Sequence, residues 1–122
     1  MKREKKEKVS RNKFYHKYLQ LINVILPEPL TSKEIEILSA FMELEGDLIE
    51  EDRFGTQCRK YIRDKFKFKS YSNLDNYIKY MKQKGVLLKD EDTGKLIINK
   101  RIEVPKDTKD IELVFKFELE DG

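Results

Sequence analysis

The sequence predicts an α+β protein, mainly helical, in which amphipathic helices precede a short β-hairpin. Apolar residues recur at steps of three and four in several segments between residues 14 and 85, which is typical of helices. Two short apolar runs at 86–89 and 95–98 then flank a polar loop that contains Gly94, which is typical of a hairpin. With 122 residues, 40% of them charged, the chain suffices for one domain with a modest core.

Four segments are predicted along the chain. Residues 1–13 form a basic flexible arm, 14–29 a helix with a proline linker, 30–105 the main domain, and 106–122 a strand extension. The arm carries seven Lys or Arg against two Glu and has almost no apolar surface, so by itself it is expected to be disordered. It is either a solubilising tail or an arm that contacts phosphates without reading sequence.

The first predicted helix runs from residue 14 to residue 26 and ends at the Pro-Glu-Pro sequence. Its spacing predicts one apolar face, made of Phe14, Tyr18, Leu21, Ile22 and Ile25. Four more apolar residues widen that face, namely Tyr15, Leu19, Val24 and Leu26. The helix therefore packs on the domain that follows or, as an alternative, pairs with a second copy of the chain.

The second helix is predicted to begin at a capping box. The hydroxyl of Thr31 is placed to accept the amide hydrogen of Glu34, whose carboxylate reaches back to the Thr31 amide, and Leu30 and Ile35 are spaced to form a hydrophobic staple. Its predicted core face is Ile35, Leu38, Phe41 and Met42, and its predicted solvent face is Glu34, Glu36, Glu43 and Glu45.

Neither a metal site nor a cofactor is predicted. The acidic connector after this helix, residues 46–55, lacks the alternating ligand spacing of a calcium loop. One cysteine, Cys58, excludes an intramolecular disulfide, and with His16 as the only histidine a zinc site of the usual Cys/His type cannot form.

The next two helices are predicted to form a helix–turn–helix. The first spans 56–66, buries Tyr61, Ile62 and Phe66, and is followed by a turn at 67–71. In the second, Ser72 is the predicted cap, with Asp75 complementing the positive helix end, and Gly85 terminates the helix. Its predicted buried stripe is Leu74, Tyr77, Ile78 and Met81.

Charge is distributed unevenly over the domain, which is typical of a polyanion-binding surface. Residues 54–85 carry nine Lys or Arg against two Asp, whereas residues 30–53 carry two basic residues against eight acidic ones. Amide and basic side chains on one helix suit the major groove, where they bind base edges and phosphates. The predicted DNA-binding residues are Arg59, Lys60, Arg63, Tyr71, Asn73, Asn76, Lys79, Tyr80, Lys82 and Gln83.

The hairpin that follows has an acidic tip, Asp90, Glu91 and Asp92. A hairpin that touches DNA normally presents Lys or Arg to the phosphates. Either this hairpin points away from nucleic acid, or the basic face binds an acidic protein surface in place of duplex DNA.

Residues 30–105 resemble winged helix–turn–helix domains, in particular small bacteriophage proteins. The resemblance lies in LTSKEIEIL, CRKYIRDKF, SNLDNYIKYMKQKGVL and KLIINKRI, of which the third looks like a recognition helix that runs into a wing strand. It implies that Asn73, Asn76 and Lys79 lie at base-contacting positions. Proteins of this kind are often regulators, and phages also use the fold in head, connector and tail proteins.

A C-terminal β-strand is predicted from strict alternation after the linker at 106–110. Its apolar residues, Ile111, Leu113, Phe115, Phe117 and Leu119, form the candidate assembly interface. The strand joins either the domain's own sheet or the sheet edge of a neighbouring molecule.

The sequence therefore predicts a non-enzymatic DNA-binding protein or, as the alternative, a virion assembly protein that forms homo-oligomers. No catalytic arrangement stands out, since His16 and Cys58 lie on different predicted helices and there is no glycine-rich phosphate loop. Apolar runs are too short to span a membrane and no signal peptide is evident, so the host cytoplasm or a virion is the expected location.

Overall fold

The computed structural model describes residues 3–121, apart from the side chains of Asn12 and Tyr71. Residues 1, 2 and 122, at the ends of the predicted arm and extension, lie outside this part. Within it the elements are α1 (Arg11–Ile22), α2 (Ser32–Glu43), α3 (Asp47–Glu51), α4 (Thr56–Phe66), α5 (Tyr71–Gln83), β1 (Leu87–Lys89) and β2 (Leu96–Ile98). A 3₁₀ turn, Asn23–Ile25, extends α1. The prediction of a mainly helical α+β protein is confirmed, and no helix in residues 3–121 is long and apolar enough to cross a membrane.

The capping box at the start of α2 is confirmed. The Glu34 amide donates to Oγ1 of Thr31 at 3.2 Å, and the Thr31 amide donates to Oε1 of Glu34 at 2.8 Å. Leu30 and Ile35 are both buried beside this cap. Helix α2 therefore begins at a position fixed by local hydrogen bonds and lies at the centre of the fold.

The core contains residues from the helices and from the first strand. Helix α2 packs against α1 and α4, and α5 packs against α4 and leads into β1. Each fully buried aliphatic or aromatic side chain stabilises the fold by about 1.5–3 kcal/mol. The largest apolar ones are Leu19, Ile37, Leu38, Phe41, Ile62, Leu74, Met81 and Leu87.

The buried face of α1 differs from the predicted face. Helix α1 buries Tyr15, Tyr18, Leu19 and Ile22, whereas the predicted core residues Leu21 and Ile25 are exposed, as is Val24. The 3₁₀ turn has about three residues per turn, so residues 23–25 leave the face that a continuous α-helix would follow. The result is a small exposed apolar group, Leu21, Val24 and Ile25, at the end of α1.

Two predictions for the region of α4 and α5 are wrong. Helix α5 begins at Tyr71 after Ser70, so Ser72 lies inside the first turn and does not cap the helix; its hydroxyl lies 3.0 Å from that of Ser70. Tyr61, predicted to be buried, is exposed on α4. The physical reason is that Cys58 and Ile62, four positions apart, form the buried line of α4, and Tyr61 lies beside it.

A residue with positive φ follows each of the helices α4 and α5. Helix α4 ends at Phe66 and is followed by Lys67, with φ 55°, and the amide of Phe68 donates to the carbonyl of Arg63 at 3.1 Å. Helix α5 is followed by Gly85, with φ 81°, which confirms it as the helix stop. A glycine adopts this conformation without strain, whereas a lysine does so at a cost.

The hairpin pairs Leu87 with Ile98, Leu88 with Ile97, and Lys89 with Leu96 in an antiparallel register. Leu87, Leu96 and Ile98 pack in or against the core, which places the Leu88–Ile97 pair on the other face of the hairpin. The prediction of a hairpin with a Gly94 turn is confirmed.

The predicted C-terminal strand is wrong. Within the described residues the sheet has two strands, and residues 106–121 are in neither. An alternating sequence becomes a strand only when a neighbouring edge offers hydrogen bonds, and residues 109–121 form no backbone–backbone hydrogen bond within the described part of the chain. The hydrogen bonds of this region hold the residues that precede the predicted strand. The Tyr18 hydroxyl donates to the carbonyl of Ile102 at 3.0 Å, and the Arg11 guanidinium donates to those of Pro105 and Thr108 at 2.9 and 2.8 Å.

Candidate nucleic-acid interface

Helix α5 exposes a continuous polar stripe. Asn76, Lys79 and Gln83 are all exposed, and their spacing of three and four residues places them in one line along the helix. Opposite them, Leu74, Ile78 and Met81 are buried as predicted. The core thus fixes which face of α5 is presented to solvent.

Arg59 and Arg63 of α4 lie beside α5 and share one carboxylate. Nη1 of Arg59 lies 3.1 Å from Oδ1 of Asp75, and Nη1 of Arg63 lies 3.9 Å from the same atom. Nε of Arg59 also donates to the carbonyl of Phe54 at 2.6 Å. Since the side chain of Arg63 is only 12% exposed, this arginine acts mainly as a tie between the two helices.

Three lysines at the predicted interface have no carboxylate partner within residues 3–121. Lys60 of α4 and Lys79 and Lys82 of α5 are exposed and form no ion pair there. Other basic residues of the same region are paired: Lys65 with Glu43 at 3.8 Å, and Lys84 with Glu34. The exposed face of α4 and α5 is therefore positive mainly through its unpaired lysines.

Tyr80 and Gln83 line a cleft of about 510 Å³ on the flank of α5 that faces the start of α2. Tyr77, Lys33, Glu34 and Lys84 are among its other lining residues. Asn73 is exposed on α5, and the Tyr71 side chain lies outside the described residues. Predicted DNA-binding residues thus lie in three places: on the exposed polar stripe of α5, at the contact of Arg59 and Arg63 with Asp75, and in this cleft.

Sequence reasoning placed Glu34 in solvent, which is wrong. Glu34 is 1% exposed, and Nζ of Lys84 donates to its Oε1. Spacing along a helix could not reveal this, because the partner lies on another helix and glutamate at the third position of a helix normally faces water. Asp75 was likewise assigned only to the helix end, although Arg59 and Arg63, four residues apart on α4, suit a shared acid.

The hairpin tip is fixed by its own hydrogen bonds. The amide of Asp92 donates to Oδ1 of Asp90 at 2.8 Å, and the Asp90 amide donates to the carbonyl of Lys95 at 2.8 Å. Glu91 and Asp92 remain exposed. The tip therefore offers negative charge to whatever approaches it.

Burial raises the pKa of the Cys58 thiol, an effect that Asp52 reinforces and Arg53 opposes. The thiol is accordingly protonated at neutral pH and a poor nucleophile. The described residues hold no group of three or more His, Cys, Asp or Glu able to bind a metal ion.

Comparisons of the chain with protein-family models, curated proteins and solved structures found no match. Function is therefore inferred from the chemistry of the exposed surfaces.

Proposed function

We propose that this chain is a non-enzymatic, phage-encoded protein of winged helix–turn–helix type that binds duplex DNA through α4 and α5. The observation that carries the proposal is the exposed set of unpaired lysines, Lys60, Lys79 and Lys82. Because DNA phosphates attract unpaired cations and release their counterions on binding, such a set favours a polyanion ligand.

In this mechanism Lys60, Lys79 and Lys82 contact phosphates and set the register of the protein on the duplex. Asn76, on the central line of α5, is the proposed base-contacting residue, since an amide pairs bidentately with adenine in the major groove. Arg63 positions α5 through Asp75 rather than touching DNA. The acidic hairpin tip is directed away from the phosphates in this arrangement.

The test is binding to a labelled mixed-sequence duplex by fluorescence anisotropy over a range of salt concentrations. We expect Lys79→Ala to weaken binding to all sequences and to reduce the salt slope by about one unit. Lys65→Ala is the matched control, because Lys65 is paired with Glu43. Binding that does not depend on salt, or equal effects of the two substitutions, would contradict the proposal.

A second candidate, a virion assembly protein, is favoured by one observation on the last segment. The large apolar side chains of Phe117 and Leu119 are 86% and 92% exposed, which suits residues that become covered in an assembly. A ring-sized particle in sedimentation velocity, together with no salt-dependent DNA binding, would favour this function.

A further inference from the structure

Residues 109–121, called here the tail, have a backbone without partners. Among the described residues, the tail forms no backbone–backbone hydrogen bond, and the last one along the chain joins the Thr108 amide to the Pro105 carbonyl. Leu113 packs against the core, and beyond it the apolar side chains at 115, 117 and 119 are exposed. The tail after Leu113 is therefore a strand sequence without a sheet.

The hairpin has an edge, on the outer side of β2, with backbone groups available for a further strand. The Asp90 amide donates to the Lys95 carbonyl and the Asn99 amide to the Val86 carbonyl, so residues 95, 97 and 99 point their backbone groups toward β1. By the alternation of an antiparallel ladder, the N–H and C=O groups of Leu96 and Ile98 point outward.

The β2 edge is the accessible one of the two. Leu87 of β1 is 0% exposed, so the outer edge of β1 is covered at that residue. Leu96 and Ile98 of β2 are each only partly buried and pack at the rim of the core. An added strand on β2 would both pair their outward backbone groups and cover their remaining apolar surface.

Charge also matches between the tail and the residues that follow β2. The polar residues of the tail beyond Leu113 are mainly acidic, with Glu118, Glu120 and Asp121 against Lys116. Lys100, exposed two residues after β2, has no acidic partner in residues 3–121 and lies at the end of the hairpin away from the acidic tip at 90–92. Opposite charges on neighbouring strands stabilise their pairing.

We propose that residues 114–121 of one copy add as a strand to the β2 edge of a second copy. In its own domain Arg11 of α1 holds Pro105 and Thr108, Leu113 packs against the core, and residues 114–121 form no backbone hydrogen bond with the hairpin. The occupant of the edge is a second copy because each chain carries both a free strand and a free edge. Reciprocal exchange gives a closed, two-fold symmetric dimer with two such contacts.

The test measures molar mass by light scattering coupled to size-exclusion chromatography, over a series of concentrations of the full chain. We expect a reversible dimer of twice the chain mass of 14.7 kDa. Phe117→Ser removes an aromatic side chain from the apolar face of the tail strand, so this variant should be a monomer. Lys116→Ser is the matched control: it introduces the same residue on the opposite face of the tail strand, so this variant should remain a dimer.

A second pair of variants tests the edge. Leu96→Pro removes an outward N–H at the first residue of β2, where proline is tolerated, without removing a hydrogen bond of the hairpin. Leu96→Ala loses the same leucine side chain and keeps that N–H, so it is the matched control. Leu96→Pro should be monomeric and Leu96→Ala dimeric, with thermal unfolding used to verify that both are folded.

Mixing the two monomeric variants distinguishes tail-to-edge pairing from tail-to-tail pairing. The Leu96→Pro chain supplies an intact tail and the Phe117→Ser chain an intact edge, so the mixture should regain a heterodimer with one of the two contacts. A mixture that stays monomeric, or a wild-type chain that is monomeric throughout, would overturn the proposal. Neither result bears on DNA binding, which is tested separately by the salt dependence of anisotropy.

Discussion

Nζ of Lys84 donates a hydrogen bond to Oε1 of Glu34 over 2.5 Å, although the two residues are 50 positions apart. The contact joins the start of α2 to the end of α5. The same Glu34 oxygen accepts the Thr31 amide, while Oε2 is buried without a hydrogen-bond partner in the described part of the chain. One carboxylate thus caps a helix and fixes the position of a second helix.

Removing the cation of this pair should destabilise the fold strongly. Lys84→Met leaves the buried carboxylate of Glu34 without its charged partner, and we expect a loss of about 3 kcal/mol in the free energy of unfolding. The measurement is urea denaturation followed by circular dichroism. Lys106→Met, which breaks the exposed pair with Glu50, should cost less than about 1 kcal/mol. Equal losses would show that the Lys84 contact is no stronger than a surface pair.

Replacing Lys67 with glycine should stabilise the fold. Its φ of 55° is left-handed, a conformation that costs a residue with a side chain about 1 kcal/mol relative to glycine. Lys67→Gly is therefore expected to raise the free energy of unfolding by about that amount, measured by urea denaturation. Lys67→Ala loses the same charge and should show no such gain. A glycine variant no more stable than the alanine variant would contradict this account.

Tyr18 should make stability depend on pH in alkaline solution. Burial raises the pKa of its phenol above the ordinary value of 10.0, so the unfolded chain loses this proton first as the pH rises. The stability gained from the buried, protonated phenol is therefore full below about pH 10 and is lost at higher pH.

The Tyr18→Phe variant isolates this contribution. At neutral pH it should lose about 1 kcal/mol, since the Ile102 carbonyl loses its hydrogen-bond donor. The difference from wild type should narrow as the pH rises above about 10, measured as free energies of unfolding at each pH. A difference that stays constant over this range would contradict the role given to Tyr18.

Asp75 should restrain DNA binding. Asp75→Asn removes the negative charge that Arg59 and Arg63 share but keeps a side-chain oxygen that accepts from Arg63, which leaves the partly exposed Arg59 able to approach a phosphate. We expect affinity for a mixed-sequence duplex to rise by about threefold or more, with a steeper salt dependence. Asp64→Asn gives the same change in net charge elsewhere on α4 and serves as the control. If it raises affinity equally, the effect is one of net charge and not of Arg59.

Features fixed by neighbours in the sequence were predictable. The capping box at Thr31, the bounds of α4 and the stop at Gly85 each depend on residues within a few positions, and all three are confirmed. The start of α5 was misplaced by two residues, because Ser70 and Ser72 are both suitable helix-start residues and the sequence alone does not choose between them.

Features that depend on distant residues were not predictable. The burial of Glu34 requires Lys84, and the orientation of Arg63 requires Asp75, neither of which lies on the same helix as its partner. The wrongly predicted strand at 111–119 has the same origin, since alternation specifies a face but a strand also needs an edge to pair with.

The contacts of Arg11 with Pro105 and Thr108 bring the start of the first helix next to the beginning of the tail. The basic arm and the acidic tail therefore leave the domain close to each other. A surface that binds either segment would therefore hold the protein near the start of α1.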